Sequence, residues 1–278
     1  MKLSNSKGKL AVITGGSSGL GYAIAHKLAL QGFDLLLVAR NEQQLNEAAE
    51  QLAADTGVKV QTTSVDVSKE EQVISLYETV RNLAHSADLI INSAGIVSAG
   101  FLEDTPLTEW DRLYNINVRG LVSVLQTLLP DMIKQSSEDG KQRHIVNIAS
   151  AAAYTCTGGM SAYGFTKAGV VALGESLAHE VASSKIGVTT VCPEFVNTPI
   201  GNKVTLFGRM ENPRSRRRIE KMFERSTITT EQLAEKVISA IESNTLLAPA
   251  GKQATLAYRF KRFMPVRFFN MIHNTMKF

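Results

Sequence analysis

Ser150, Tyr163 and Lys167 are the residues whose types and spacing best fit proton-transfer chemistry. Tyr163 and Lys167 are four positions apart, so on a helix they share one face. An unperturbed phenol, with a pKa of about 10, is a poor acid or base at neutral pH, whereas a nearby ammonium would lower that pKa toward the working range. Ser150, at the end of a predicted strand, is placed to hydrogen bond the same reacting oxygen. Each residue alone has an ordinary alternative: a surface lysine, a half-buried tyrosine and a strand-end cap.

A glycine-rich turn follows the first predicted strand and opens directly into an amphipathic helix. It reads Thr14-Gly15-Gly16-Ser17-Ser18-Gly19-Leu20-Gly21. Glycines let the backbone turn tightly and approach a ligand, and a helix N-terminus offers N–H groups and the positive end of its dipole. The turn therefore predicts a cradle for a pyrophosphate, with a plain strand-to-helix connection as the alternative.

Arg40 directly follows the second predicted strand. Dinucleotide-binding folds that prefer NAD usually place a carboxylate there, which hydrogen bonds the ribose 2′-hydroxyl. A guanidinium instead suits a 2′-phosphate through forked, charge-assisted hydrogen bonds. The sequence therefore predicts NADP(H) as the cofactor, and the alternative is a surface arginine at a strand end.

Short β-branched runs alternate with longer amphipathic stretches over the first two hundred residues. Strands such as 34–39 are continuously apolar, as expected when helices cover both faces of a parallel sheet. This pattern predicts an α/β fold, a single-domain Rossmann-type doubly wound parallel sheet with helices on both faces. Strands are predicted at 9–14, 34–39, 58–65, 88–92, 144–150, 187–192 and 245–248, and helices at 19–31, 42–54, 69–83, 108–134, 162–183 and 230–242.

Charge is unevenly distributed along the 278 residues. The formal net charge is +4, yet residues 1–202 carry −5, residues 203–227 carry +5, and residues 252–278 carry +6 with no acid. A nucleic-acid-binding protein needs its basic stripe on the folded body, so this class is excluded. We predict one domain over residues 1–251, including a basic substrate-lobe segment near 202–225 for which a solvated helix face is the alternative. Residues 252–278 form a separate tail.

The tail interleaves cations with aromatic side chains, which is typical of a segment lying at a bilayer interface. Packing on a neighbouring subunit or over a substrate cleft is the alternative. The N-terminal residues contain no signal-peptide apolar region, and no apolar run approaches the ~18 residues of a membrane span. We therefore expect a cytoplasmic protein that is at most peripheral on a membrane. The tail aromatics are Tyr258, Phe260, Phe263, Phe268, Phe269 and Phe278.

The two cysteines, Cys156 and Cys192, are too few and too far apart for a metal-ligand spacing or a disulfide framework. We expect two small buried hydrophobic side chains in a reducing compartment. The sequence therefore predicts no metal.

Several separate motifs occur in a fixed order, and together they resemble the short-chain dehydrogenase/reductase family. The resemblance extends to about residue 250. The motifs are the 14–21 glycine turn, Asp66-Val67, Asn92-Ser93-Ala94-Gly95, Asn117, Ser150 and Tyr163-Gly164-Phe165-Thr166-Lys167.

The resemblance implies a catalytic tetrad. In that family the tyrosine (Tyr163) is the general acid or base and the serine (Ser150) orients the carbonyl oxygen. The lysine (Lys167) binds the nicotinamide ribose and lowers the tyrosine pKa, and the asparagine (Asn117) holds a proton-relay water. The implied cofactor contacts are Gly15, Ser17, Ser18, Gly19, Leu20, Gly21, Arg40, Asp66, Val67, Asn92, Ala94, Gly95, Tyr163, Lys167, Pro193, Val196 and Thr198.

Two positions depart from the family pattern. The third cofactor segment usually reads Pro-Gly after the sixth strand, but here it reads Pro193-Glu194, so the path of this loop near the nicotinamide is open, although Thr198 keeps its place. Ser93 also replaces the second residue of the commoner Asn-Asn pair.

Within the family, the stretches 15–19, 38–42 and 64–68 are similar to the branch that reduces 3-ketodihydrosphingosine. We therefore predict NADPH-dependent reduction of a long-chain keto lipid. The alternatives are a 3-oxoacyl thioester or steroid-like ketone reductase and, from another class, a catalytically silent dinucleotide-sensing module, against which the intact Ser150, Tyr163 and Lys167 argue. The resemblance further implies a homodimer or homotetramer, with the helices at 108–134 and 162–183 at the interface.

Overall fold

The computed structural model describes residues 1–3, 6–226 and 228–275, and within these ranges seven parallel strands form one sheet. Their order across the sheet is β3-β2-β1-β4-β6-β7-β9. A short parallel pair, β5 with β8, lies outside this sheet. The bounds are β1 (Leu10–Thr14), β2 (Asp34–Ala39), β3 (Val60–Ser64), β4 (Leu89–Asn92), β5 (Ser98–Ala99), β6 (Arg143–Ile148), β7 (Ile186–Pro193), β8 (Thr205–Leu206) and β9 (Leu247–Ala250).

Helices cover both faces of the sheet. One core lies between the sheet and α1, α2 and α11, and a second lies between the sheet and α3, α4, α6 and α8. The predicted doubly wound α/β fold is therefore confirmed. The bounds are α1 (Gly19–Leu30), α2 (Glu42–Thr56), α3 (Glu70–Ile74), α4 (Leu76–Leu83), α5 (Leu107–Tyr114), α6 (Gly120–Asp139), α7 (Ala152–Thr155), α8 (Ser161–Glu180), α9 (Pro199–Asn202), α10 (Pro213–Glu224), α11 (Thr230–Glu242), α12 (Lys252–Phe263) and α13 (Pro265–Thr275).

Two long predicted helices are interrupted. The helix expected at 69–83 is divided at Ser75, whose hydroxyl donates to the carbonyl of Gln72 (2.7 Å) and so competes with the regular helical pattern. The helix expected at 108–134 contains a π-helical segment, Asn115–Arg119, and continues past Pro130 to Asp139. Single-turn π segments frequently mark functional positions, and this one carries Asn117.

Residues 252–275 form two packed helices, α12 and α13, here called the C-terminal helix pair. Phe268 is 1% exposed and packs edge-to-face on Phe260 at 6.1 Å. The rings of Tyr258 and Tyr154 of α7 pack with their centroids 5.5 Å apart, so the C-terminal helix pair lies against the body of the same chain. Phe278 lies outside the described residues. None of the helices in the described ranges is both long and apolar enough to cross a membrane.

Candidate active site

The glycine turn and the segment after β4 meet where the carboxyl ends of two neighbouring strands lie side by side. The Thr14 hydroxyl accepts hydrogen bonds from the N–H groups of Ser93 (3.1 Å) and Ala94 (3.2 Å). Gly15 has a φ of +67°, and a Cβ there would lie 2.9 Å from the Ala94 nitrogen. In open α/β sheets, ligands bind in the crevice at this change of strand order.

The start of α1 is open toward that crevice. A Cβ on Gly21 would lie 2.3 Å from the Gly15 carbonyl oxygen, so the turn closes only with glycine. Ser18 is extended (φ −165°), and among the described residues of this turn no side chain caps the helix and no acid occupies its first turn. Ser17 and Ser18 are partly exposed, whereas Leu20 packs on the core. These residues fit the pyrophosphate of a dinucleotide.

Arg40 and Asp66 lie at the outer end of the crevice. The Arg40 Nη1 is 3.9 Å from Asp66 Oδ2, and its side chain is 62% exposed. The other oxygen of Asp66 accepts from the N–H (3.0 Å) and hydroxyl (2.7 Å) of Ser68, which orients the carboxylate. Val67 is buried, and a Cβ on Gly120 would lie 2.8 Å from its carbonyl oxygen. Arg40, Asp66 and Val67, three of the predicted cofactor contacts, therefore lie together.

The side chain of Asn92 is hydrogen bonded to the neighbouring strand. It is buried, and its Nδ2 donates to Asn147 Oδ1 across β4 and β6 (3.0 Å). This side chain therefore cross-links two strands, as its position at the end of β4 allows.

Asn117 is held in place by both of its amide atoms. Its Oδ1 accepts from the Ile96 N–H (2.9 Å), while its Nδ2 donates to the Ile96 carbonyl (3.0 Å) and to the Thr166 hydroxyl (3.1 Å). It is 1% exposed. A Cβ on Gly95 would lie 3.2 Å from Asn117 Oδ1 and 3.4 Å from Lys167 Nζ. Gly95 therefore joins the dinucleotide crevice to the predicted catalytic residues.

Tyr163 and Lys167 share one face of α8, as their spacing predicts. The Lys167 Nζ is 5.9 Å from the centroid of the Tyr163 ring and donates to the Ile148 carbonyl (2.9 Å). The Ser150 hydroxyl accepts from the Ala152 N–H (3.1 Å) and also interacts with the Tyr163 hydroxyl. The three residues converge at the carboxyl end of β6.

The pKa of Tyr163 differs from our expectation. Burial raises it to about 12, and the hydrogen bond with Ser150 opposes this rise only in part. Burial also lowers the pKa of Lys167 to about 8. The lysine therefore does not bring the phenol pKa toward neutrality here, because Lys167 is buried, Tyr163 is partly buried, and desolvation favours the neutral form of each.

The loop after β7 has an arrangement that the sequence alone left open. Val196 is buried, and the Thr198 hydroxyl donates to the Val196 carbonyl (3.4 Å). Pro193 ends β7, and the carboxylate of Glu194 accepts from the Gln253 N–H (2.8 Å) at the start of α12. Position 194, where the family usually has glycine, thus carries a side chain that reaches the C-terminal helix pair.

Tyr163 packs against an apolar cluster that motif reasoning missed. The residues of this cluster come from three stretches, 97–101, 160–163 and 195–223, so only the tertiary fold brings them together. The apolar residues around Pro193 and Pro199 were a usable signal. The cluster contains Val97, Ala99, Val204, Leu206, Met210 and Phe223, with Phe101, Met160, Tyr163, Phe195, Ile200 and Ile219 packed against it.

Comparisons with known proteins identify the family of this chain. The family described as short chain dehydrogenase matches residues 9–207. An uncharacterized oxidoreductase of Staphylococcus epidermidis is 39% identical over 198 residues, which cover 71% of this chain and 82% of that protein.

Two solved structures also match closely. A short chain dehydrogenase/reductase from Burkholderia phymatum in complex with NAD superposes with a TM-score of 0.83 at 28% identity, covering 95% of each chain. L-Sorbose reductase from Gluconobacter frateurii, complexed with NADPH and L-sorbose, superposes with a TM-score of 0.73 at 28% identity. The match covers 92% of this chain and 94% of the reductase chain. The chain belongs to the short-chain dehydrogenase/reductase family of oxidoreductases.

Proposed function

We propose that this protein reduces a ketone to a secondary alcohol with a bound nicotinamide dinucleotide, and that Asn117, Ser150, Tyr163 and Lys167 are its catalytic residues. The observation that carries the proposal is that Asn117 and Lys167 lie beside Gly95, while Tyr163 shares the α8 face of Lys167 and interacts with Ser150. The reduced nicotinamide, when bound, supplies the hydride. Related solved structures contain NAD or NADPH.

The chain's own residues handle the proton. With a pKa of about 12 the Tyr163 phenol keeps its proton at neutral pH, so it is ready to donate to a carbonyl oxygen. The Ser150 hydroxyl, beside the phenol, orients that oxygen. Lys167 supplies a positive charge while protonated, and Asn117 fixes the backbone of Ile96 at the edge of the crevice.

A Tyr163→Phe variant tests the reaction. General acid catalysis contributes about 100- to 10,000-fold, so we expect ketone turnover to fall by at least 100-fold while NADPH binding is retained. Tyr77→Phe, at a partly exposed tyrosine of α4, is the matched control and should keep full activity. Full turnover by Tyr163→Phe would contradict the assignment, and a wild type that binds NADPH but reduces no ketone would favour the silent sensing module.

We propose NADP(H) as the preferred cofactor because Arg40 directly follows β2, where a guanidinium suits a ribose 2′-phosphate. Its guanidinium is 3.9 Å from Asp66 and mostly exposed, so it is available to a dianionic 2′-phosphate. NADH has a hydroxyl there and gains no such pairing.

Arg40→Ala tests this preference by titration with both cofactors. Loss of a charge-assisted contact should weaken NADPH binding roughly tenfold and leave NADH binding unchanged. Arg81→Ala, which removes an arginine paired with Asp131 on another face, should alter neither affinity. Equal wild-type affinities for the two cofactors would contradict the preference for NADPH.

We propose a long-chain keto lipid as substrate, with 3-ketodihydrosphingosine as the specific candidate. The apolar cluster supports this class, because Tyr163 packs against it together with side chains such as Met160, Phe195 and Ile200, which offer a hydrocarbon chain an apolar surface. Each buried methylene contributes about 0.8 kcal/mol, which is about a fourfold gain in binding.

A panel of ketones that differ in chain length tests the substrate class. We expect kcat/KM to rise by up to about fourfold per methylene until the cleft is filled. The panel includes 3-ketodihydrosphingosine, a 3-oxoacyl thioester, a steroid ketone and a keto sugar. Rates independent of chain length, or a preference for the sugar, would contradict a lipid substrate.

We propose that the tail, residues 252–278, contacts an anionic lipid surface. The described part, the C-terminal helix pair, exposes Leu256, Phe263, Val266 and Phe269, each more than 60% accessible, and the tail contains no acid. Exposed rings together with cations suit the headgroup region of a bilayer. This placement would bring a lipid substrate to the site from the membrane.

We also propose that the protein forms a homodimer or homotetramer through α6 and α8. Phe165 of α8 is 60% exposed and contacts Trp110 of α5 at 6.0 Å, which leaves an apolar surface on this side of the site. Sedimentation equilibrium of the wild type and of Phe165→Glu tests this. Association by wild type that the variant loses is expected, and a monomeric wild type would contradict it.

A further inference from the structure

Glu194 is the one residue of the loop after β7 whose carboxylate reaches the C-terminal helix pair in the described structure. Its backbone N–H donates to the Ala250 carbonyl (3.1 Å), which extends the β7–β9 pairing by one residue. The chain then continues to Val196 and Thr198, two residues assigned above to the cofactor. Glu194 is therefore close in the chain to residues that the proposed function assigns to the cofactor.

The carboxylate occupies the N-terminus of α12. Its Oε2 accepts from the N–H groups of Gln253 (2.8 Å) and Ala254 (3.1 Å). Gly251 makes room for it, because a Cβ at that position would lie 2.1 Å from the Glu194 Cδ. A carboxylate that accepts two helix N-terminal amides gains both charge-assisted hydrogen bonds and a favourable interaction with the helix dipole.

A second residue holds the same turn from the other side. The Tyr154 hydroxyl donates to the Ala254 carbonyl (2.9 Å), and its ring packs edge-to-face on Tyr258. Tyr154 lies in α7, four residues after Ser150. The first turn of α12 is thus fixed by two segments, each of which also carries a residue assigned to the reaction or the cofactor.

We propose that Glu194 is a positioning residue that couples docking of the C-terminal helix pair to the geometry of the 193–198 loop, so that NADPH binding and docking of the pair stabilise each other. The proposal rests on the proposed function, because it needs a dinucleotide held by this loop. Coupling between two binding equilibria is reciprocal, so it is measurable from either side. The helix pair is then part of the active-site architecture.

Glu194→Ala tests the coupling with two measurements, hydrogen exchange of the backbone amides of residues 252–275 and fluorescence titration with NADPH. In the wild type, NADPH should slow exchange in the helix pair. In the variant we expect exchange to be faster by roughly five- to tenfold, and the dissociation constant of NADPH to rise by a similar factor. NADPH should no longer protect the pair.

Two further variants sharpen the test. Glu194→Gln keeps the side-chain volume and one acceptor oxygen but lacks the charge, so its effects should be intermediate. It also replaces Glu194→Ala if that variant does not fold. Glu235→Ala removes a carboxylate of α11 that pairs with Lys27 of α1, and it should change neither measurement.

Two results would overturn the coupling: wild-type exchange in Glu194→Ala, or faster exchange with unchanged NADPH affinity. A wild type that binds no dinucleotide defeats the proposed function, and the coupling fails with it. A wild type that binds NADPH, alongside a Glu194 variant that binds it equally well, defeats the coupling alone.

Discussion

Burial sets the protonation states of the two residues on which the proposed proton transfer depends. Lys167 is 5% exposed, and desolvation lowers its pKa to about 8, while the pKa of Tyr163 is raised to about 12. Near neutral pH the pair therefore consists of an ammonium and a protonated phenol. That combination suits the donation of a proton during reduction better than its removal during oxidation.

The activity of the free enzyme should fall as pH rises through about 8, because Lys167 then loses the charge beside the phenol. Above that pH we expect the rate at low NADPH concentration to fall up to about tenfold per pH unit. Measurement from pH 6 to 10 checks this, and Lys167→Met should show a low rate without this alkaline limb. A wild-type profile that is flat to pH 10 would contradict it.

Stability should respond in the opposite direction over the same range. The Lys167 pKa is lower in the folded protein than in the unfolded chain, where it is about 10.4, so the unfolded chain binds more protons between pH 8 and 10.4. This residue's contribution to stability is therefore full above about pH 10.4 and is lost progressively as pH falls from there through about 8. Urea unfolding should show a difference between wild type and Lys167→Met that changes by about 1 kcal/mol per pH unit there.

The residue types and spacing of the site were readable from the sequence, but their ionisation was not. The i, i+4 spacing correctly places Tyr163 and Lys167 on one helix face. Their pKa values depend on how much protein surrounds them, which includes an apolar cluster assembled from three distant segments. The role of Glu194 depends in the same way on a helix that begins 58 residues later.

At the scale of elements, the segment from α9 to α10 is attached to the body through β8, Arg209 and the apolar cluster. β8 pairs with β5, and the Arg209 Nε donates to Asp104 (3.1 Å), while its guanidinium also contacts Glu103 and lies 4.4 Å from the Phe101 ring centroid. The ion pairs are largely exposed and contribute little, so most of the attachment energy comes from the ring contact and the apolar cluster.

Arg209→Ala should loosen this segment over the site. We expect KM for the ketone to rise about three- to tenfold, because the cation–π contact and one partly buried carboxylate partner are lost. The dissociation constant of NADPH should not change, since the dinucleotide crevice lies on other elements. Arg214→Ala, at an exposed arginine of α10, is the control for the loss of positive charge. If Arg209→Ala raised the dissociation constant of NADPH as much as the KM for the ketone, the assignment of this segment to the substrate side would be wrong.

The elements that the sequence predicted are those whose hydrophobic pattern is long and regular. The strand at Asp34–Ala39 and the helix at Thr230–Glu242 have the expected bounds. β5 and β8 have two residues each and form only because distant segments meet, so no local pattern indicates them. The aromatic and cationic residues of the tail indicated a surface segment, while their organisation into two helices was not predicted.

At the scale of the whole molecule, charge separates the body from the tail. The first 202 residues carry −5, whereas residues 252–278 carry +6. In the proposed lipid contact, an anionic surface would attract the tail and repel the rest of the molecule, so the charge distribution would also orient the protein. The exposed rings of the C-terminal helix pair lie on the attracted part.

Binding to vesicles tests this whole-molecule arrangement. Wild type should sediment with vesicles that contain anionic lipid, should bind zwitterionic vesicles weakly, and should be released by salt because the attraction is screened. The double variant Lys261→Glu, Arg262→Glu retains the chain length and removes two cations, each contributing about 1 kcal/mol, so its partitioning should fall at least about 30-fold. Deletion after Gly251 should abolish it.

The controls separate a membrane from a protein partner. Lys236→Glu reverses a cation on α11 outside the tail and should leave vesicle binding nearly unchanged. Equal sedimentation of wild type and the double variant would contradict the lipid contact. If the double variant instead lowers the molecular mass in sedimentation equilibrium, the exposed rings are covered by a second copy of the chain, because only a protein partner links this surface to the oligomeric state.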